Sequence, residues 1–112
     1  MDIEFGLKKE IIDKVRAVLS QFPQITEAIL YGSRALGTYK PGSDIDLTFK
    51  GDLLNNQIIN KISLALDELY LAYTFDLSVY DHINNPDLLE HIGKHGVRFW
   101  GERGQKFLKK LE

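Results

Sequence analysis

One short segment constrains the fold more than any other part of the chain. Asp44-Ile45-Asp46-Leu47-Thr48-Phe49 alternates polar and apolar residues without a break. A period of two is the mark of a β-strand with one apolar face. Asp44, Asp46 and Thr48 take one side, and Ile45, Leu47 and Phe49 the other. The preceding Lys40-Pro41-Gly42-Ser43 holds the Pro-Gly dipeptide of a tight turn, with Gly42 expected at the positive φ of a type II turn. Gly51-Asp52 closes the strand.

Around this segment the periodicity switches between helix and strand. Residues 7–22 read as an amphipathic helix with Leu7, Ile11, Val15, Val18, Leu19 and Phe22 on its apolar face, stopped by Pro23. Residues 28–31 form a continuous apolar run ending at Gly32, which suits a strand buried on both faces. A short helix is expected over 34–38 and a longer one over 53–70, striped by Leu54, Ile58, Ile62, Leu66 and Leu69. Residues 74–80 alternate again, with Asp76, Ser78 and Tyr80 opposite Phe75, Leu77 and Val79. Asn85-Pro86 is a helix start, with Gly96 as its stop. Residues 97–100 fit a short strand or an apolar hook, and 101–112 a weak helix. No linker divides the chain, so a single domain is expected over 1–112, its motif-bearing core at about 7–100 and a tail at 101–112.

A chain of 112 residues has room for one core but not for a second, substrate-holding domain. With 44% hydrophobic residues it is too apolar to be disordered. A net charge of -2 gives no drive towards long nucleic acid or an anionic membrane, leaving Lys106, Lys109 and Lys110 as candidates for a local basic patch. The absence of cysteine excludes disulfides, thiolate metal sites and cysteine nucleophiles. Met1-Asp2-Ile3-Glu4 lacks the layout of a secretion signal, and no apolar run reaches membrane-spanning length, so the expected compartment is the cytoplasm.

The polar face of the first alternating strand carries the chemistry. Asp44 and Asp46 leave the same side of it. Two carboxylates about 4 Å apart repel by roughly 4 kcal/mol at an effective dielectric near 20. A cation between them relieves this, and an all-oxygen donor set favours Mg²⁺ or Mn²⁺. A lone Asp-x-Asp is more often two solvated aspartates. If the strand of Asp76 lies beside that of Asp46, three carboxylates converge, enough to hold two metals when a triphosphate supplies further oxygens. Gly32 and Ser33 follow a buried strand, where the glycine admits a phosphate close to the backbone and the serine hydroxyl can donate to it. Arg34 either neutralises phosphate charge or is a surface arginine. His91 and His95 lie four apart on a helix and could share a metal, although two histidines without a third ligand are more often surface residues. Ser78 shares the face of Asp76, and Tyr31 and Tyr39 read as packing residues.

Gly32-Ser33, ten residues, Asp44-x-Asp46 and a later strand aspartate, Asp76, together resemble the DNA polymerase β-like nucleotidyltransferase superfamily, and within it the minimal nucleotidyltransferase (MNT) family. The resemblance implies an α+β fold, a mixed sheet flanked by helices. It implies that Asp44 and Asp46 ligate two divalent ions and that Asp76 holds only the one activating the attacking hydroxyl. Gly32 and Ser33 would grip the triphosphate of ATP, with Arg34 and Ser43 beside it. Family members often read Gly-Ser-Arg-Ala-Arg-Gly, and Leu36 here replaces the second arginine. MNT proteins are typically encoded beside a helical HEPN-domain toxin and silence it by transferring AMP to its tyrosine. The expected role is therefore an antitoxin that adenylylates a HEPN partner. Two other readings stand beside it: neutralisation by binding alone, and transfer to a small molecule such as an aminoglycoside.

Overall fold

In the computed structural model, which describes residues 3–101, Phe5 and Gly6 take positive φ angles of 58° and 75°. This two-residue loop joins strands β1 (Ile3–Glu4) and β2 (Leu7–Lys8), with Glu4 opposite Leu7. Loops with both residues at positive φ match the twist of a tight hairpin. Leu7 is committed to that ladder, so helix α1 (Lys9–Leu19) begins later than the periodicity predicts. It also stops earlier, at a Ser20 cap ahead of Pro23.

The chain continues through β3 (Glu27–Tyr31), α2 (Ser33–Leu36), β4 (Ile45–Lys50), α3 (Asn56–Asp67) and β5 (Phe75–Val79). A 3₁₀ turn (Tyr80–His82), α4 (Pro86–His95) and β6 (Val97–Trp100) complete it. The main sheet has four strands in the order β5-β4-β3-β6. β4 and β5 run parallel, and α3 is the crossover such a pair needs. The other two pairings are antiparallel. This is the mixed, helix-flanked α+β sheet that the resemblance implies. Residues 97–100 are thus a strand rather than a hook. The tail helix expected over 101–112, with Lys106, Lys109 and Lys110, lies outside the described residues.

Side-chain caps set two helix starts. The Asn55 side chain accepts from the Ile58 amide at 2.9 Å, so α3 begins at Asn56 and not at residue 53. Asn85 accepts from the amides of Asp87 and Leu88, with Pro86 at the first helical position as predicted.

The two faces of the sheet have different fates. Ile45, Leu47 and Phe49 are fully buried against Ile12, Val15 and Leu19 of α1 and Ile62 and Leu66 of α3. Each such side chain contributes about 1.5–3 kcal/mol through burial. A slip of one residue in β4 would bury its aspartates instead, so the register is strongly set. The opposite face carries Ile29 and Tyr31, which pack on Ile92 of α4. β3 is therefore buried on both sides, as its unbroken apolar run predicts. Beyond the cover of α4 this face presents its polar residues.

One expected turn differs. Gly42 does not take positive φ; the 40–43 turn closes through Ser43 N–H to the Lys40 carbonyl at 2.9 Å, and the Ser43 hydroxyl accepts the Lys40 amide at 2.8 Å. That second bond holds a turn without the type II geometry. No helix among the described residues is long and apolar enough to cross a membrane.

Candidate active site

Strand register brings the carboxylates together. Asp46 is opposite Tyr31 on one side and Asp76 on the other, and neighbouring strands lie about 4.8 Å apart. Asp44 stands just before β4, exposed like Asp76, whereas Asp46 is half-buried between them. Asp76 lies on β5, the edge strand, so this side of the cluster is open to an incoming molecule.

Burial pushes the Asp46 carboxyl up to about 6, and repulsion from Asp76 and then Asp44 pushes the same way, against a smaller opposing pull from Arg34. The Tyr31 hydroxyl is likewise raised, by burial above all and then by Asp76 and Asp46, while a hydrogen bond with Ser78 pulls it down. Acidic side chains are thus crowded on one patch. Among the described residues no three His, Asp or Glu side chains close around a common point. The donor chemistry nevertheless fits a hard divalent cation: three carboxylates on one face, the central one held well above its ordinary range by burial and then by its neighbours. The His91 and His95 rings lie 5.4 Å apart, tilted by 44°, and have no third ligand beside them among the described residues.

Gly32 caps α2 with φ 77° and ψ −155°, a conformation that other residues rarely adopt. A Cβ at this position would run into Asp46 Oδ2. The missing side chain therefore makes room for a carboxylate of the chain itself. Ser33 follows as the first residue of α2, half-buried beside that carboxylate's glycine neighbour.

Arg34 is only 2% exposed, so it is not a surface arginine. Its Nε and Nη2 donate to the Ser43 carbonyl at 3.2 and 2.9 Å, and Nη1 donates to the Phe5 carbonyl at 2.8 Å. The guanidinium also lies over the rings of Tyr39 and Tyr73, 5.4 and 5.1 Å from their centroids. Arg34 thus ties α2 to the 40–43 turn and to the N-terminal hairpin. Ser43 supplies its carbonyl to Arg34 and its hydroxyl to the turn.

Two further residues enter the site. Thr48, fully buried one step along the face from Asp46, accepts the Ser78 hydroxyl at 2.9 Å and links β4 to β5 beneath the aspartates. His91 accepts the Gly32 amide through Nε2 at 2.9 Å. The alternation of β4 places Thr48 on the carboxylate face, whereas nothing in the sequence joins His91 to Gly32.

A carboxylate cluster at the start of a strand thus faces a glycine-serine turn on its antiparallel neighbour. The family model for the polymerase beta nucleotidyltransferase domain matches residues 13–103, and the chain belongs to that family. No curated protein matches it significantly. Among solved structures, one described as a toxin–antitoxin with AMP-PNP superposes with a TM-score of 0.67 at 23% identity, over 87% of this chain and 78% of that one. A tri-AMPylated Shewanella oneidensis HEPN toxin in complex with an MNT antitoxin gives 0.63 at 20% identity, over 89% and 77%. The toxin–antitoxin MntA–HepT gives 0.63 at 19% identity, over 90% and 79%. These similarities establish a shared fold.

Proposed function

We propose that the chain transfers AMP from ATP to a hydroxyl, a tyrosine of a HEPN-type toxin, and so acts as that toxin's antitoxin. The observation that carries this reading is the register of Asp46 with Asp76, with Asp46 seated against Gly32 at the start of the Gly32–Ser33 turn. Asp44, Asp46 and Asp76 would hold two Mg²⁺ or Mn²⁺ ions. When bound, such ions neutralise triphosphate charge and make the attacking hydroxyl more acidic.

The rest falls to the chain's own side chains. Ser33 would donate its hydroxyl to a phosphate oxygen of ATP. Gly32 keeps the turn low enough for that phosphate and the Asp46 carboxylate to share one patch. The acceptor hydroxyl would arrive from the side of Asp76, which is exposed on the edge strand β5. As that oxygen bonds to the α-phosphorus, the bond to pyrophosphate breaks and pyrophosphate leaves. The acceptor is a side chain of a second protein, which reaches the site from the open edge of the sheet. Use of ATP fits a cytoplasmic protein.

The test is transfer of label from α-labelled ATP to a HEPN-type toxin co-expressed with this chain, with Mg²⁺. Labelling by the wild type, absent in the Asp44→Asn/Asp46→Asn double variant, is the expected result. Labelling that survives the double variant sinks the reading. Toxin neutralisation by that variant at normal expression would favour binding alone.

A further inference from the structure

The Gly32 amide is tied to a residue 59 positions away, the half-buried His91 of α4, whose Nε2 accepts it at 2.9 Å. An accepting Nε2 places the proton of the neutral imidazole on Nδ1. The ring is braced on two sides. Tyr31 meets it edge-on at 6.2 Å and 73°, and His95 lies 5.4 Å away along the helix. Its neighbour Ile92 is buried against Ile29 and Tyr31, which seats α4 on the sheet.

We propose that His91 is a positioning residue for nucleotidyl transfer, holding the Gly32 amide so that Ser33 and the Asp46 carboxylate keep a fixed separation. The proposal rests on the nucleotidyl-transfer reading of the site. Gly32 is the freest residue of the turn, and no side chain of its own limits rotation of its peptide. With its N–H anchored, the plane of the Tyr31–Gly32 peptide is fixed, and Ser33 follows from it. The same bond removes the Gly32 N–H from phosphate binding, leaving that role at the turn to Ser33. Catalytic geometry of this kind is sensitive, since a displacement of about 1 Å can cost roughly a hundredfold in rate.

Three variants separate this role from simple packing. His91→Leu removes the acceptor, His91→Phe removes it while keeping a ring beside Tyr31 and His95, and His91→Gln restores an acceptor oxygen. Amide exchange of Gly32, followed by NMR, should accelerate in the first two and return towards wild type in the third. Their kcat/KM for AMP transfer should fall by about 10–100-fold, and His91→Gln should recover to within about threefold. If one loss variant fails to fold, the other carries the test.

Unchanged Gly32 exchange in a folded loss variant overturns the proposal. So does wild-type kcat/KM in that variant, or equal impairment of His91→Gln. Should the wild type transfer no AMP, the proposed function fails by itself. Affinity for AMP-PNP with Mg²⁺ then decides about His91: a loss in His91→Phe that His91→Gln restores supports positioning, and equal affinities overturn it.

Discussion

Asp46 Oδ2 occupies the space that a Cβ on Gly32 would need. The glycine of the Gly-Ser turn is thus set by its own chain's carboxylate before any phosphate arrives. Gly32→Ala should displace Asp46 and strain a φ of 77°, at a cost of about 1–3 kcal/mol in stability. Transfer activity should drop by roughly a hundredfold or more. Steady-state kinetics beside a thermal melt checks both, and an active, equally stable Gly32→Ala would contradict the packing described.

The burial and crowding of Asp46 give a signed pH dependence. Its carboxyl rises from an ordinary 3.8 to about 6 in the folded chain, through burial first and then Asp76 and Asp44. Folding therefore binds its proton more tightly, and the cost of the ionised form is present above about 6 and fades as pH falls towards about 4. Metal-free Asp46→Asn should be more stable than wild type at pH 7 by about 1 kcal/mol after solvent screening, or about 4–8 °C. The gap should close by pH about 4. Melts of both proteins in EDTA across that range provide the check, and a gap independent of pH would rule out this origin.

Much of this site was legible before any coordinates because it lies on strongly patterned strands. The alternation from Asp44 to Phe49 and from Phe75 to Val79 fixes which residues share a face, and Pro23, Gly32 and Asn85-Pro86 punctuate the chain. What stayed hidden has no local signal. Two-residue strands such as Ile3–Glu4 are too short to show a period, and Leu7–Lys8, the second strand of the hairpin, falls in the helical pattern of residues 7–22. Arginine is rarely buried, so Arg34 read as phosphate-binding or exposed, and only the carbonyls of Phe5 and Ser43 reveal its place. The bond from Gly32 to His91 depends on how α4 docks on the sheet, and no spacing encodes that.

Arg34 predicts a stability phenotype. Arg34→Lys keeps the charge but cannot span the Phe5 and Ser43 carbonyls with a planar fork. The variant should lose about 2–4 kcal/mol, from unmade buried hydrogen bonds and lost stacking on Tyr39 and Tyr73. Chemical denaturation measures it. A variant with unchanged stability and only a raised KM for ATP would instead assign the guanidinium to phosphate.

The Thr48–Ser78 pair predicts a double-mutant cycle. Ser78 Oγ donates to Thr48 Oγ1 at 2.9 Å, and Thr48 Oγ1 donates to the Ser78 carbonyl at 3.3 Å, where the fully buried Thr48 of β4 meets the half-buried Ser78 of β5. Thr48→Val alone leaves the Ser78 hydroxyl without this acceptor and should cost about 1–2 kcal/mol. Adding Ser78→Ala removes the other half of the pair, so the double variant should be less destabilised than the two single losses summed. The coupling, read from urea melts, should reach about 0.5–1.5 kcal/mol. Strict additivity would show that the hydroxyls do not depend on each other, and the seam beneath Asp46 and Asp76 would then be held by backbone pairing alone.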